Sequence, residues 1–322
     1  MSNKNYMLTR TTLTVLLLIA FFANTIAQTT WSENQDTISV QANWKKGDQK
    51  TFLITRTKQK KVSGDVRENF QFSFLADMKI VDSTESGYRV EWEYRLTNDF
   101  KEKNPLASLA MPVYNDMKMI FTTYTDGSFK DLLNWQEVAD AYIEMTELNM
   151  GGQKNDTIKK TMDKVKEMFR TKEMTESSLI RELQLYYSAF GGVFTLQGMK
   201  SNTTLPNPIN AEPLPAYIEQ KIKEIKPAEG TFNVEISQSI KPEAMRNLLY
   251  GLLEKMDIPR DSIELEMEKM LQSLIITDKG TFTIDQTSGW LLGIEYIREA
   301  QFGEMYQKEL ILFELVKDKK EQ

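Results

Sequence analysis

Between Asn69 and Leu96 the chain alternates apolar and polar residues with the period of an extended strand. Phe70, Phe72, Phe74, Ala76, Met78 and Ile80 fall on one face, Gln71, Ser73, Asp77 and Lys79 on the other, and Leu75 and Val81 break the alternation. After a polar turn at Ser83–Gly87, Tyr88, Val90, Trp92, Tyr94 and Leu96 repeat the apolar face against Arg89, Glu91, Glu93 and Arg95. Two such runs joined by a short Gly-containing loop predict an antiparallel hairpin. Its aromatic face must be covered by something large, and its charged face is left to water.

The rest of the chain supplies partners for that hairpin. Trp44–Asp48 reads as a turn leading into a strand at Lys50–Lys58. Met117–Tyr124 and Phe129–Leu133 flank Asp126-Gly127, a tight-turn signal. Asn134, with Glu137 three residues on, reads as the cap of a helix that ends at Gly151-Gly152. Helical spacing continues over Thr157–Phe169 and Thr175–Phe190. Val193–Leu196 reads as a short strand, Ala216–Ile225 as a short helix and Thr231–Ser239 as a strand. Pro242 opens a helix to Met256, Pro259 breaks it, and Asp261–Leu274 is periodic again. Gly280–Asp285, Trp290–Arg298 and the nearly continuous apolar run Glu309–Lys317 close the chain as strands. Tight turns between strands, with helices grouped rather than interleaved, predict an α+β fold. The expected architecture is a large antiparallel, curved β-sheet with two inserted helical blocks. In domain terms, 28–200 forms a strand-rich half with one helical block, 201–215 a Pro-rich connection, and 216–322 a second half completing the same sheet.

Composition changes this picture in two ways. Lys4 and Arg10, the apolar run Leu13–Ala23 and Ala27 form a secretory signal over residues 1–27, so the chain is expected to be exported and cleaved before Gln28. The apolar run is well short of the about 20 residues of a membrane-spanning helix. With no cysteine in the chain, the expectation is a protein of the periplasm or the exterior with neither a lipid anchor nor disulfides, standing on its core alone. Net charge is −6 with Lys and Arg scattered, which argues against a nucleic-acid surface. Lys58–Lys61 is the dense basic run, and a solvated strand end accounts for it. Helical stretches and a charged final strand end argue against an outer-membrane barrel.

The chain also has no histidine, which with the absent cysteine removes Ser-His-Asp and Cys-His mechanisms and His or Cys metal sites. No phosphate-binding glycine loop is present, and neither cofactor nor metal is expected. Carboxylate chemistry is what remains for an enzyme, with Glu91 and Glu93, Asp82 with Glu85, or Asp285 beside Trp290 as candidates. A solvated face explains the first pair, and ordinary turn formation explains the others. The aromatic and methionine content points elsewhere: 17 Met, 16 Phe and 12 Tyr. Phe70, Phe72, Phe74, Met78, Trp92 and Tyr94 are the candidate lining of a cavity for an apolar small molecule, with plain core as the alternative. Three functions therefore stand in order. The first is a non-catalytic binding or carrier protein for an apolar ligand or an envelope partner. The second is a structural or interaction protein of the envelope without ligand, and the third a carboxylate hydrolase.

The signal ending Thr-Ile-Ala-Gln, the turn Trp44–Asp48, the run from Asp82 through Gly87 to Trp92, and Thr287–Trp290 resemble secreted proteins of Bacteroidota that have no established activity. The likeness spans most of the chain beyond the signal in style. A long antiparallel sheet with helices on its concave side is also similar to the periplasmic lipoprotein-carrier fold, a likeness at the level of fold only. The first resemblance has a further implication. Asp36-Thr37-Ile38, Asp82-Ser83-Thr84, Asp156-Thr157-Ile158 and Asp261-Ser262-Ile263 resemble sites of O-glycosylation in exported proteins of that group. Thr37, Ser83, Thr157 and Ser262 would then carry sugar, although caps and turns also account for such triplets.

Overall fold

The computed structural model describes residues 36–97, 117–149, 162–163, 166–167, 169–205, 213–255 and 275–316. The signal segment, the helix expected at Asp261–Leu274, most of that at Thr157–Phe169, Thr157 itself and Ser262 lie outside these residues. The fold is α+β: one large, open, curved sheet of 13 strands with helices packed against it. The strands are β1 (Thr37–Ser39), β2 (Gln49–Val62), β3 (Asp65–Thr84), β4 (Gly87–Leu96), β5 (Lys118–Thr123), β6 (Phe129–Leu132), β7 (Val193–Thr195), β8 (Met199–Leu205), β9 (Leu214–Lys226), β10 (Thr231–Ile240), β11 (Ile275–Asp285), β12 (Leu291–Phe302) and β13 (Met305–Leu315). Their order is β1-β7-β9-β10-β11-β12-β13-β2-β3-β4-β5-β6, with β8 beside β9. Every pairing is antiparallel except that of β7 with β9. The first helical block, between β6 and β7, contains α1 (Trp135–Asn149), α2 (Lys172–Leu179) and α3 (Arg181–Tyr187), and α4 (Pro242–Lys255) follows β10.

Most of the strands follow the predicted alternation. Ala76, Met78 and Ile80 on β3 pair with Tyr94, Trp92 and Val90 on β4, and all six are buried. The long apolar run near the end of the chain is β13, central in the sheet between β12 and β2. Three readings are corrected. Ala216–Ile225 is strand, not helix: Lys223 is an extra residue at a bulge opposite Asn233 and Val234. That bulge resets the side-chain phase, so Ile218, Ile222 and Ile225 mimic a helical spacing while lying in a sheet. The helix expected over Thr175–Phe190 is two helices, interrupted at Ile180, whose backbone leaves the helical region at φ −110 and ψ 36. Asn134, at the N-cap position of α1, does not make the backbone bonds of a capping box, although its amide nitrogen donates to Glu137 Oε2 at 3.0 Å. Its amide oxygen accepts from the Ile120 N–H at 2.8 Å and its amide nitrogen donates to the Lys118 carbonyl at 2.7 Å, which clips α1 to β5.

The segment between β1 and β2 straps one end of the curved sheet. Val40 N–H donates to Gly192 O and Gly191 N–H to Val40 O, both at 3.0 Å. Ala42 N–H then donates to Asp126 O in the β5–β6 turn, Asn43 N–H to Ser288 O in the β11–β12 turn, and Gly47 N–H to Ile80 O on β3. The strap joins turns from well-separated strands at the end where Trp44 is buried. Trp44 sits within 5.0–6.1 Å of the ring centroids of Tyr88, Tyr187, Phe190 and Trp290. Gly289 lies under the strap at φ +67, and a Cβ there would collide with the Gln41 carbonyl. Gly289→Ala combines that collision with an unfavourable φ, so a loss of about 2 kcal/mol or more in urea-denaturation stability is expected. Gly230→Ala, at a comparable φ of +65 but in open space, carries only the conformational cost and should lose less.

Candidate functional site

The inner face of the sheet can be read row by row from the strand register. One row runs Val234, Phe282, Ile294, Phe313, Ile54, Phe74 across six strands, all buried. Two residues further along the strands the row is Ile236, Gly280, Tyr296, Ile311, Arg56, Phe72. Two residues further again it is Gln238, Asp278, Arg298, Glu309, Lys58, Phe70. The concave face thus changes over three rows from wholly apolar, through mixed, to charged. The strapped end is apolar and the far end is polar.

Helix α3 fills the apolar end. Tyr186 packs edge-on against Phe52 at 5.4 Å and Trp92 at 5.6 Å, and Tyr187 against Phe121 at 5.3 Å. The Tyr187 hydroxyl donates to Met78 Sδ at 3.6 Å. Burial drives both phenols well above their ordinary pKa, so they stay neutral. The first turn of the same helix is charged and meets the polar rows. Arg56 bridges Glu182 at 2.9 Å and Glu309 at 2.7 Å, and Arg181 reaches Glu309 at 2.9 Å. Arg298 holds Asp278 in a fork, with Nε–Oδ1 2.6 Å and Nη2–Oδ2 2.5 Å. The three carboxylates are nearly buried, while the arginines keep partial access to solvent. Burial alone would push the Glu309 carboxyl up, but the charges and hydrogen bonds of Arg181 and Arg56 outweigh it and hold it below the usual carboxylate range. Burial, followed by the Asp278 charge, pushes the Tyr296 phenol up to about 12. A carboxylate held ionised in this way accepts hydrogen bonds and does not serve as a proton donor at neutral pH.

The six predicted lining residues divide between the two regions. Trp92 and Met78 are at most 1% exposed and, with Phe74 and Tyr94, belong to the core around Tyr186. Phe72 is half-buried, and Phe70 is 40% exposed. The aromatic column is nevertheless continuous. Phe70 stacks on Phe72 at 5.9 Å, Phe72 on Phe74 at 6.1 Å, and Phe74 meets Tyr94 edge-on at 5.3 Å. The Arg56 guanidinium lies 5.9 Å from the Phe72 ring and the Lys58 ammonium 5.8 Å from that of Phe70. Of the acids considered for catalysis, Glu91 and Glu93 both pair with Lys118, and Asp82 lies 3.5 Å from Lys46. Asp285 accepts from the Thr287 and Ser288 N–H groups as a turn former. Thr37 lies in β1 opposite Thr195, and Ser83 is exposed near the end of β3. The charged rows are the feature that the sequence reading missed. Parity carried the signal: Glu309 shares a face with Ile311 and Phe313, and Arg56 with Phe52 and Ile54.

No protein-family model matches the chain, and no curated protein matches it. Among solved structures, lipovitellin, in a structure concerned with its lipid–protein interactions, aligns over 85% of this chain with 9% identity and a TM-score of 0.40. The chain spans only 25% of that protein's length. A protein of Bacteroides fragilis described as exported and as having a YmcC-like fold aligns over 87% of this chain and 100% of its own, with 10% identity and a TM-score of 0.22. No helix among the described residues is long and apolar enough to cross a membrane.

The ion cluster makes stability pH-dependent with a defined sign. A carboxyl whose folded pKa is depressed stabilises the fold above its unfolded pKa, and that contribution is lost as pH falls through the folded value. Glu309, Asp77 and Glu235 are all depressed. Stability should therefore be flat between about pH 5 and pH 9 and fall below about pH 4. It should fall again at alkaline pH, where the unfolded chain's tyrosines ionise while Tyr186, Tyr187 and Tyr296 are held protonated. Glu309→Gln leaves Arg56 and Arg181 against a neutral amide, at an expected cost of about 3 kcal/mol at neutral pH. Denaturation midpoints measured across pH should show the variant's acid limb shallower than that of the wild type.

Proposed function

We propose that this is an exported, non-catalytic binding or carrier protein whose concave sheet takes an amphiphilic molecule with a substantial apolar portion. One observation carries the reading: the inner face grades from apolar to charged along the strands, and the aromatic column of β3 crosses that gradient to end at the exposed Phe70. An apolar group laid along Phe72 and Phe70 would remove their rings from water, at about 25 cal/mol per Å² of area covered. Its polar end would stay beside Lys58 in the charged row. The apolar end of the face is occupied by Tyr186, Trp92 and Met78, so the proposed contact set contracts from six residues to Phe70 and Phe72, with Phe74 as floor.

A structural or interaction protein without ligand is the second reading. The packing of Phe74, Met78, Trp92 and Tyr94 around α3 favours it. Native mass spectrometry with organic extraction, on protein purified from its own host, separates the two. A co-purifying acyl or lipid species near unit occupancy supports the carrier reading, whereas a clean apo mass with nothing extracted removes it. In the carrier case Phe70→Ala with Phe72→Asp should cut occupancy severalfold, since a buried contact becomes a charge. Trp92→Ala should act differently. Truncating a fully buried indole costs about 3–5 kcal/mol and should lower the melting temperature whether or not ligand is present.

A further inference from the structure

The two ends of the sheet are finished differently. A bare strand edge is a template for further pairing, and chains usually cover or charge it. Beyond β6, helix α2 does the covering: the Leu132 N–H donates to Glu176 Oε1 at 2.9 Å, and Lys172 pairs with Asp131. Beyond β9 the edge is shared by β7, which carries β1, and by β8, which is paired through its inner edge from Met199 opposite Gln220 to Leu205 opposite Leu214. No described strand pairs with its outer edge. Met199 to Asn202 and Thr204 are all exposed. The strand's one charge does not guard the edge, because the Lys200 ammonium is folded back over the Tyr217 ring of β9 at 4.5 Å.

We propose that this edge joins two copies of the chain, β8 pairing antiparallel with β8 of a second copy about a two-fold axis through Asn202. The strand is self-complementary in that register. Met199 lies opposite Leu205 of the other copy, Ser201 opposite Thr203, Lys200 opposite Thr204, and Asn202 opposite itself. Apolar pairs therefore meet at both ends, hydroxyl pairs lie between them, and no like charges face each other, which is the pattern that stabilises antiparallel neighbours. A two-fold operator needs only one such patch per copy and closes on itself, so the assembly stops at a dimer with one continuous sheet. A basic partner strand would find no complementary charge along this edge, and an acidic one only Lys200, which is turned back over Tyr217. A second copy brings apolar residues together at both ends and puts no like charges opposite each other.

Sedimentation velocity over a wide concentration range tests this on the protein as exported. A concentration-dependent dimer is expected. Asn202→Lys places two ammonium groups opposite each other on the axis and should raise the dimer dissociation constant on the order of tenfold or more, whereas Asn202→Thr should leave it nearly unchanged. Asn202 is exposed, so at concentrations low enough for wild type to be monomeric the far-UV circular dichroism and melting of Asn202→Lys should match it. A wild type that stays monomeric at the highest concentration reached overturns the proposal, as does an undiminished Asn202→Lys dimer. Amide hydrogen exchange in wild type gives a reading independent of any variant. Residues 199–205 should gain protection as concentration rises, and concentration-independent exchange there rejects the interface.

Discussion

The Tyr186–Tyr187 pair at the end of α3 is the constraint on which the rest depends. A sheet of this size and curvature has an inner face that cannot be satisfied by its own strands, since side chains across the hollow are too far apart to fill it. One short helix supplies the filling. Tyr186 and Tyr187 are in ring contact with each other at 5.0 Å, and between them they meet Phe52, Phe313, Trp92, Phe121 and Phe129. Those rings come from β2, β13, β4, β5 and β6, strands that do not all neighbour one another. The strap adds Trp44 from the other side, in contact with Tyr187 and Phe190. In a chain without cysteine, this aromatic cluster and the strap's hydrogen bonds do the work that disulfides do in many exported proteins.

The same helix makes the boundary of that core polar. Arg181 and Glu182 begin it, and Leu183, Tyr186 and Tyr187 follow within two turns, so one element spans both regimes of the concave face. Buried ion pairs seldom stabilise more than a well-packed apolar replacement would. Their retention in the middle of a sheet is better understood as specificity: Glu309 with two arginines fixes how α3 sits over β2 and β13. It also limits how far the apolar packing extends along the strands. In the same two rows as Arg56 and Glu309, on β3, Phe72 and Phe70 still face the inner side.

How much of this could be read in the chain follows from where periodicity is a faithful guide. The pairing of β3 with β4, the Asp126-Gly127 turn and Pro242 at the start of α4 were all legible, because alternation or turn chemistry there has one physical interpretation. Ala216–Ile225 was not, because a bulge at Lys223 inserts one residue and turns a two-residue repeat into an apparent helical one. The β2–β3 hairpin was missed because its outer half, Lys58 to Glu68, is polar on both faces and so carries no alternation to read. Its turn depends on Ser63 and Gly64 at φ 52 and 87, and serine is an uncommon residue in that region of backbone space. The charged rows were hidden for a related reason. Sequence reading assigns charge to solvent even where parity sets Glu309 with Ile311 and Arg56 with Ile54. The register across β11, β12, β13 and β2 then brings Asp278, Arg298, Glu309 and Arg56 together on the inner face.

The division of the aromatic residues follows from the same register. The six residues chosen by parity share one face but lie at different depths. Parity tells which side of a sheet a side chain takes, while the position along the strand decides whether a helix covers it. Trp92 and Met78 lie under Tyr186 and Tyr187; Phe70, on the same face of the same hairpin, lies in the charged row and is 40% exposed. An exposed phenylalanine alone is ordinary on a protein surface. One that terminates a stacked column rooted in the core, with Arg56 and Lys58 over its last two rings, is held in place by the fold before any partner arrives. That preorganisation is what a binding surface needs, because the ordering cost is met in folding and not in association.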